Sequence, residues 1–419
     1  MTAIDSGPAT LEPAPQAAKP RSFTEVWVVS IGHSLTHWYP ATFYLLLPLI
    51  GNELGLSYSE IGSILAAQYF AGALSNIPGG LMVDSFGRKG VLMSLSLFWI
   101  GFPYLLMGIS SAYWMLLGCA VLVGIGNNLW HPTAIPWLAN RFPERKGLVM
   151  SFHGMGGNFG DAVAPLVIGA LLASFTWREV VIMNVVPGII MSGLILLYLG
   201  RVYSAETKAG GHKVKVERLK GKALFSSFGA LLKSKALVML CTSSCFRAMT
   251  QSGLLTFLPL YLAREMGYPV FWVGASMFAL QAAGFAAAPI AGHLSDTIGR
   301  RQIILSSMTM TGVVLVAMIF AGGTSAFVFL VALLGFFLFS MRAVLQAWLL
   351  DSTPRNLGGS AIGVLFGTQA IGQAIGPLCA GLLADRFGLM SAFYFLAATI
   401  VVANLFVFFM PDTQKKAAA

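Results

Sequence analysis

The chain has 419 residues, of which 57% are hydrophobic and 10% charged, whereas a water-soluble surface draws on about 25% charged residues. An ordinary soluble domain is excluded. Twelve helices of about 22 residues would occupy about 264 residues and leave the rest for loops and tails, so the length suits a polytopic helical membrane protein. The formal charge of +10, from 26 Lys and Arg against 16 Asp and Glu, must therefore be read against the apolar segments before it implies any partner.

Residues 1–20 are rich in Ala and Pro, carry Asp5 and Glu12, and lack a basic leader followed by an apolar core. They read as a disordered tail rather than a signal peptide. Twelve apolar segments follow, at 26–50, 60–83, 90–109, 112–138, 146–171, 179–200, 236–262, 269–293, 302–321, 324–350, 358–382 and 389–410. The expectation is an all-α integral membrane protein: a tail over 1–25, a six-helix bundle over 26–200, a linker over 201–235, a second six-helix bundle over 236–410 and a tail over 411–419. The linker holds nine Lys and Arg. Its stretch from Val216 to Leu232 is either a surface helix on anionic lipid or plain solvated chain.

Of the 26 basic residues, 21 fall on the side that carries both termini, and three, Arg178, Arg264 and Arg386, fall on the other. Short-loop Lys and Arg are retained inside, so both termini are expected in the cytoplasm, with the plasma membrane, in a bacterium the inner membrane, as the site of residence. The remaining two, Arg247 and Arg342, lie within spans. Cys119, Cys241, Cys245 and Cys379 sit in apolar runs without paired spacing, so neither a disulfide nor a metal site is expected, and no cofactor or nucleic-acid partner is implied. With no nucleotide loop or nucleophile triad in sight, an enzyme is not expected and no catalytic residues are assigned.

The string Gly80-Leu81-Met82-Val83-Asp84-Ser85-Phe86-Gly87-Arg88-Lys89 recurs as Gly292-His293-Leu294-Ser295-Asp296-Thr297-Ile298-Gly299-Arg300-Arg301, an offset of 296 − 84 = 212. Gly160, Ala164, Pro165 and Gly169 return as Gly372, Gly376, Pro377 and Gly381 with the same offset. One displacement shared by two separate strings points to duplicated halves related by an axis along the membrane normal, with a pathway between them. Gly80, Asp84, Arg88, Gly292, Asp296 and Arg300 are expected to form networks at the cytoplasmic rim that break when that mouth opens, the alternative being basic turns that only set topology. Gly160, Pro165, Gly376 and Pro377 are expected to let helices approach and bend. A third, partial copy from Gly381 to Gly388, with Asp385 and Arg386, falls on the expected outer side.

These strings and the twelve spans resemble the major facilitator superfamily, whose fold the chain is then expected to share. Gly32-His33, Trp38-Tyr39, Pro48, Leu54-Gly55-Leu56-Ser57, Gly124-Ile125-Gly126 and His131-Pro132 resemble, within it, the fosmidomycin-resistance group of efflux proteins. The resemblance implies that spans one, four, seven and ten line the route, and an acidic residue at the place where His37 stands. It also implies that the run from Gly160 to Gly169 corresponds to an antiporter motif.

His33 and His37 lie one turn apart on the first span and share a face. Arg247 with Gln251, and Arg342 with Gln346, repeat that spacing. Unpaired arginine in hydrocarbon is costly and neither span offers an internal acid, so a small amphipathic anion is expected as cargo, bound by His33, His37, Trp130, His131, Arg247, Gln251, Arg342 and Gln346. The alternative is that both arginines are satisfied by helix carbonyls, Asp161 or loop acids. Asp161, the one acid deep in a span, is expected to couple protons together with His37 and His153, eight positions before it. Asp351, Pro354 and Arg355 are expected to form a cluster at the end of the tenth span. The reading is a monomeric, proton-coupled exporter surrounded by lipid, with uptake of an organic anion and a non-transporting receptor or scaffold as alternatives.

Overall fold

The computed structural model describes residues 22–85, 88–127, 129–208, 233–321, 324, 326–353 and 358–410. Among them the regular elements are all helical: α1 (Thr24–Glu53), α2 (Tyr58–Ser85), α3 (Lys89–Gly108), α4 (Tyr113–Asn127), α5 (Trp130–Arg141), α6 (Lys146–Leu171), α7 (Trp177–Lys208), α8 (Lys235–Leu260), α9 (Val270–Thr297), α10 (Arg300–Phe320), α11 (Ala326–Asp351), α12 (Gly358–Phe387) and α13 (Met390–Phe408). With α4 and α5 in line, twelve spans form two bundles of six. Eight of the spans are long and apolar enough by themselves to cross a membrane. The other four, α1, α2, α6 and α8, are 26 to 30 residues long, about 40 Å or more of helix against a hydrocarbon core of about 30 Å. Large apolar side chains such as Trp114, Phe320 and Phe329 stand on the outer wall, as a lipid solvent requires. The stretch Val216–Leu232, residues 1–21 and 411–419 of the tails, Pro354 and Arg355, and the surroundings of Gly80 and the Asp84 side chain lie outside what is described.

The fourth span is broken where a continuous helix is expected. Pro132 has no N–H to offer the preceding turn, so the helix restarts at Trp130 with proline in its first turn. The carbonyls near the break are taken up locally: Ser96 Oγ donates to Gly126 O at 2.9 Å, Trp99 Nε1 to Leu122 O at 3.0 Å and Thr133 Oγ1 to Leu129 O at 2.7 Å. Such breaks are tolerated at membrane depth only when neighbouring helices satisfy the freed groups. The restart sets Trp130 and His131 at the first turn of α5.

The two halves meet through α2 against α12 and α6 against α9. A Cβ at Gly62 would collide with the carbonyl of Pro377, and a Cβ at Gly274 with the carbonyl of Pro165. Both pairs obey the sequence offset, since 274 − 62 = 212 and 377 − 165 = 212. Gly381 lies on the backbone at Tyr58, and Gly169 on the backbone at Val270, again 212 apart. The duplicated Gly and Pro positions thus build a two-fold seam of backbone on backbone at the end of the bundle remote from the termini. Glycines 62 and 274, its other partners, carried no motif that sequence reading could recognise. The third copy joins the same seam: Asp385 accepts from the amides of Tyr58 and Ser59 at 2.7 and 2.9 Å, capping α2 across the halves. Nearby Glu53, beyond the apolar part of α1, accepts from Trp177 Nε1 at 2.5 Å and Arg178 at 2.6 Å, hydrogen bonds that hold its carboxyl below the ordinary range.

At the other end the expected rim network takes a different form. Arg300 pairs with Asp296 at 2.5 Å and Asp351 at 3.2 Å and donates to Ser295 Oγ at 2.6 Å, contacts that all lie within the second half. Asp351, expected beside Arg355, is therefore engaged by Arg300. Gly299 has φ 111°, a conformation that explains the second glycine of the string, while Gly292 has open space where a Cβ would sit. Arg88 is exposed at the start of α3. Among the described residues, the contacts of Arg300 tie together helices of one half.

A buried pair ties α1 to α5. Glu25, 3% exposed, accepts from Arg141 Nε and Nη2 at 2.5 and 2.9 Å. Glu25→Gln removes the negative charge from these two hydrogen bonds and is expected to remove about 1.5–3 kcal/mol. A lowered thermal midpoint of the detergent-solubilised protein checks this, and an unchanged midpoint rejects it.

Candidate transport site

Glycine again determines which side chains meet. A Cβ at Gly156 or Gly160 would strike the carbonyl of Ser30 or Ser34, so α6 lies directly on the backbone of α1. That approach brings His37 Nδ1 to 2.9 Å from Asp161 Oδ2 and lays the His153 ring on His33, centroids 3.8 Å apart and nearly parallel. Although His153 and Asp161 are separated around α6, both reach α1. His33 Nδ1 donates to the carbonyl of His153 at 2.6 Å, and His33 Nε2 faces His131 Nε2 at 3.1 Å. Four imidazoles and one carboxylate therefore form a single cluster, supplied by α1, α5 and α6. Its edge toward the interior stays open, the side chains of His37 and Asp161 being 21% and 25% exposed.

Trp130, expected to line the route, is instead fully buried. Its ring lies under Gly32 and parallel to His33 at 6.5 Å, so it backs the imidazole without facing the interior. His153 is 4% exposed, and neither ring nitrogen has a partner among the described residues.

In the second half, Arg247 is 2% exposed and donates to Gln251 Oε1 at 2.9 Å, the expected one-turn pair, while its Nε has no partner among the described residues. Arg342 is exposed. The expected Arg342–Gln346 hydrogen bond is not among the bonds of the described residues. Tyr44 and Tyr69, hydrogen bonded hydroxyl to hydroxyl, add a polar element that the sequence reading overlooked. Tyrosine is common in apolar chains, and nothing in its spacing marks this pair.

Chemically, the site combines two guanidiniums, neither bonded to a carboxylate among the described residues, with a cluster of four imidazoles and one carboxylate. No nucleophile with its base appears among these groups.

Comparison with known proteins agrees with that chemistry. The Major Facilitator Superfamily matches residues 27–289 and 273–419. The chain is 25% identical over 409 residues to the fosmidomycin resistance protein of Escherichia coli, with 94% of each chain covered. It is 27% identical over 388 residues to a probable sulfoacetate transporter of Cupriavidus necator, covering 86% of this chain and 87% of that one. A crystal structure of a bacterial homolog of the human lysosomal transporter Spinster, inward-facing and occupied, has the same fold, with a TM-score of 0.77 at 17% identity over 94% of this chain and 97% of that chain. The chain is a multi-pass membrane protein that belongs to the Major Facilitator Superfamily, a family of transporters and not of enzymes.

Proposed function

We propose that the protein is a proton-coupled secondary transporter that exports a small amphipathic organic anion by alternating access, from a bacterial inner membrane with both termini in the cytoplasm. The observation that carries this reading is the state of Arg247: a guanidinium buried at membrane depth, held by one amide, with its Nε unpartnered and no carboxylate bonded to it among the described residues. Two cations in a low-dielectric space are stabilised when an anion bridges them, and a carboxylate, sulfonate or phosphonate presents the paired oxygens that guanidinium favours. The probable sulfoacetate transporter among its relatives is named for such a cargo. His37 and Asp161 supply a site where proton binding and anion binding influence one another through charge.

The test is uptake of a panel of carboxylates, sulfonates, phosphonates and lipophilic cations into inside-out vesicles under an imposed pH gradient. Anion uptake driven by an acidic interior is expected, and uptake driven by the opposite gradient would instead establish symport. Arg342→Gln and Arg247→Gln are each expected to weaken anion affinity about 10- to 100-fold, the worth of one charged hydrogen bond or more. Unchanged affinity in both variants at normal membrane abundance rejects the anion site, and ligand binding without flux under either gradient favours a receptor.

A further inference from the structure

The histidine cluster has a geometry that proton exchange alone does not require. We infer that His33, His37 and His131 form a binding site for a divalent transition metal of the zinc class, with its fourth coordination position open to the central space. The ligand nitrogens of these three side chains lie within 4.8 Å of one another. His33 Nε2 and His131 Nε2 are 3.1 Å apart, close to the roughly 3.3 Å that separates two nitrogens bound tetrahedrally at about 2.0–2.1 Å from one zinc ion.

The outer partners argue in the same direction. A metal-bound imidazole ordinarily donates its other ring N–H to a carbonyl or carboxylate, which fixes the tautomer and the ring's direction. His33 Nδ1 donates to the carbonyl of His153 at 2.6 Å, and His37 Nδ1 is held by Asp161 at 2.9 Å. Both Nδ1 atoms are thus occupied from behind. The His37 and His33 rings meet edge to face with centroids 4.7 Å apart, and both flank Gly157, where an added methyl would lie 2.7 Å from His33 Cε1 and 3.1 Å from His37 Nε2. His153 stacks on His33 and limits its rotation. The His37 nitrogen needs to move by up to about 1.5 Å to bring a 4.8 Å separation to the tetrahedral distance, and its ring is partly exposed, which leaves room for such movement.

Sequence spacing showed only half of this site. His33 and His37 stand at i and i+4, but the third ligand is 98 residues from His33 and is delivered by the restart of the fourth span. Asp161 behind His37 offsets part of the dication's charge, and an anionic oxygen in the fourth position offsets more. The metal site stands on the imidazole geometry alone. Its fourth ligand rests on the anion reading.

The experiment is titration of Co²⁺, and separately Zn²⁺, into full-length protein purified in detergent without a polyhistidine tag. One equivalent per chain is expected, with the intense visible bands of four-coordinate Co²⁺, discharged by Zn²⁺. His37→Ala and His131→Ala should each abolish those bands, His293→Ala should keep them, and Asp161→Asn, which keeps an acceptor for His37 Nδ1 but removes the negative charge behind it, should weaken affinity about 10- to 100-fold. Circular dichroism and elution volume show that each variant is folded. Absence of four-coordinate bands in the wild-type protein, or bands that persist in the folded His37→Ala and His131→Ala variants, overturns the site. Metal binding that survives Arg247→Gln and Arg342→Gln while anion flux is lost supports the site, and it separates this inference from the preceding proposal.

Discussion

Gly274→Val is expected to hold the two halves apart at the end remote from the termini and to stop transport with the protein still folded. The added Cβ would overlap the Pro165 carbonyl, and the contact is backbone against helix backbone, so no flexible side chain can yield. Overpacking of this kind costs about 1–3 kcal/mol, and each 1.4 kcal/mol is about tenfold in an equilibrium. The ratio of seam-closed to seam-open molecules should fall by up to about 100-fold. Spin labels at Trp114 and Trp272, exposed positions on the outer ends of the two halves, should report a longer distance in the variant. Labels at Leu148 and Ile298, exposed on the opposite ends, should report a shorter one. Gly193→Val, placed where a Cβ meets open space, serves as the control. Gly62→Val, its counterpart across the two-fold, should act alike because its Cβ meets the Pro377 carbonyl in the same way. Unaltered distances and flux in both variants would show that this seam does not set the conformational equilibrium.

The offset of 212 explains why so much of the architecture was legible in the chain. Span positions follow from apolar length, and duplicated strings reveal the two-fold because both halves must bury the same helix faces. What the repeat could not reveal was the function of its members. Gly160 and Pro165 share one motif, yet Gly160 binds α6 to α1 within a half and the Pro165 carbonyl receives Gly274 of the other half. Asp296 and Arg300 suggested a gate from their spacing, but the third member of that cluster, Asp351, comes from another helix of the same half. The site divides similarly. Helical periodicity paired Arg247 with Gln251, whereas the contacts of His131 depend on a break caused by Pro132, and the burial of Trp130 depends on the missing side chain of Gly32. Local spacing reports faces of one helix, and meetings between helices depend on where backbones can touch.

Asp161→Asn is expected to uncouple transport from protons. The amide retains a hydrogen-bonding oxygen for His37 Nδ1, 2.9 Å away in the wild-type protein, but it neither releases nor accepts a proton in the working pH range. Each pH unit across the membrane supplies about 1.4 kcal/mol per coupled proton, or about tenfold accumulation. Accumulation driven by a pH gradient should therefore collapse toward unity in the variant, while exchange of labelled for unlabelled anion at equal pH on both sides continues. The distinction matters because Asp161 has a static alternative: an ion pair that only fastens α6 to α1. In that case Asp161→Asn would reduce stability and exchange together and leave the dependence on gradient intact. His37→Gln tests the other partner, and with Asp161 intact some gradient-driven flux should remain. A variant pair in which Asp161→Asn keeps full accumulation would remove this carboxylate from coupling and leave the imidazoles as the proton carriers.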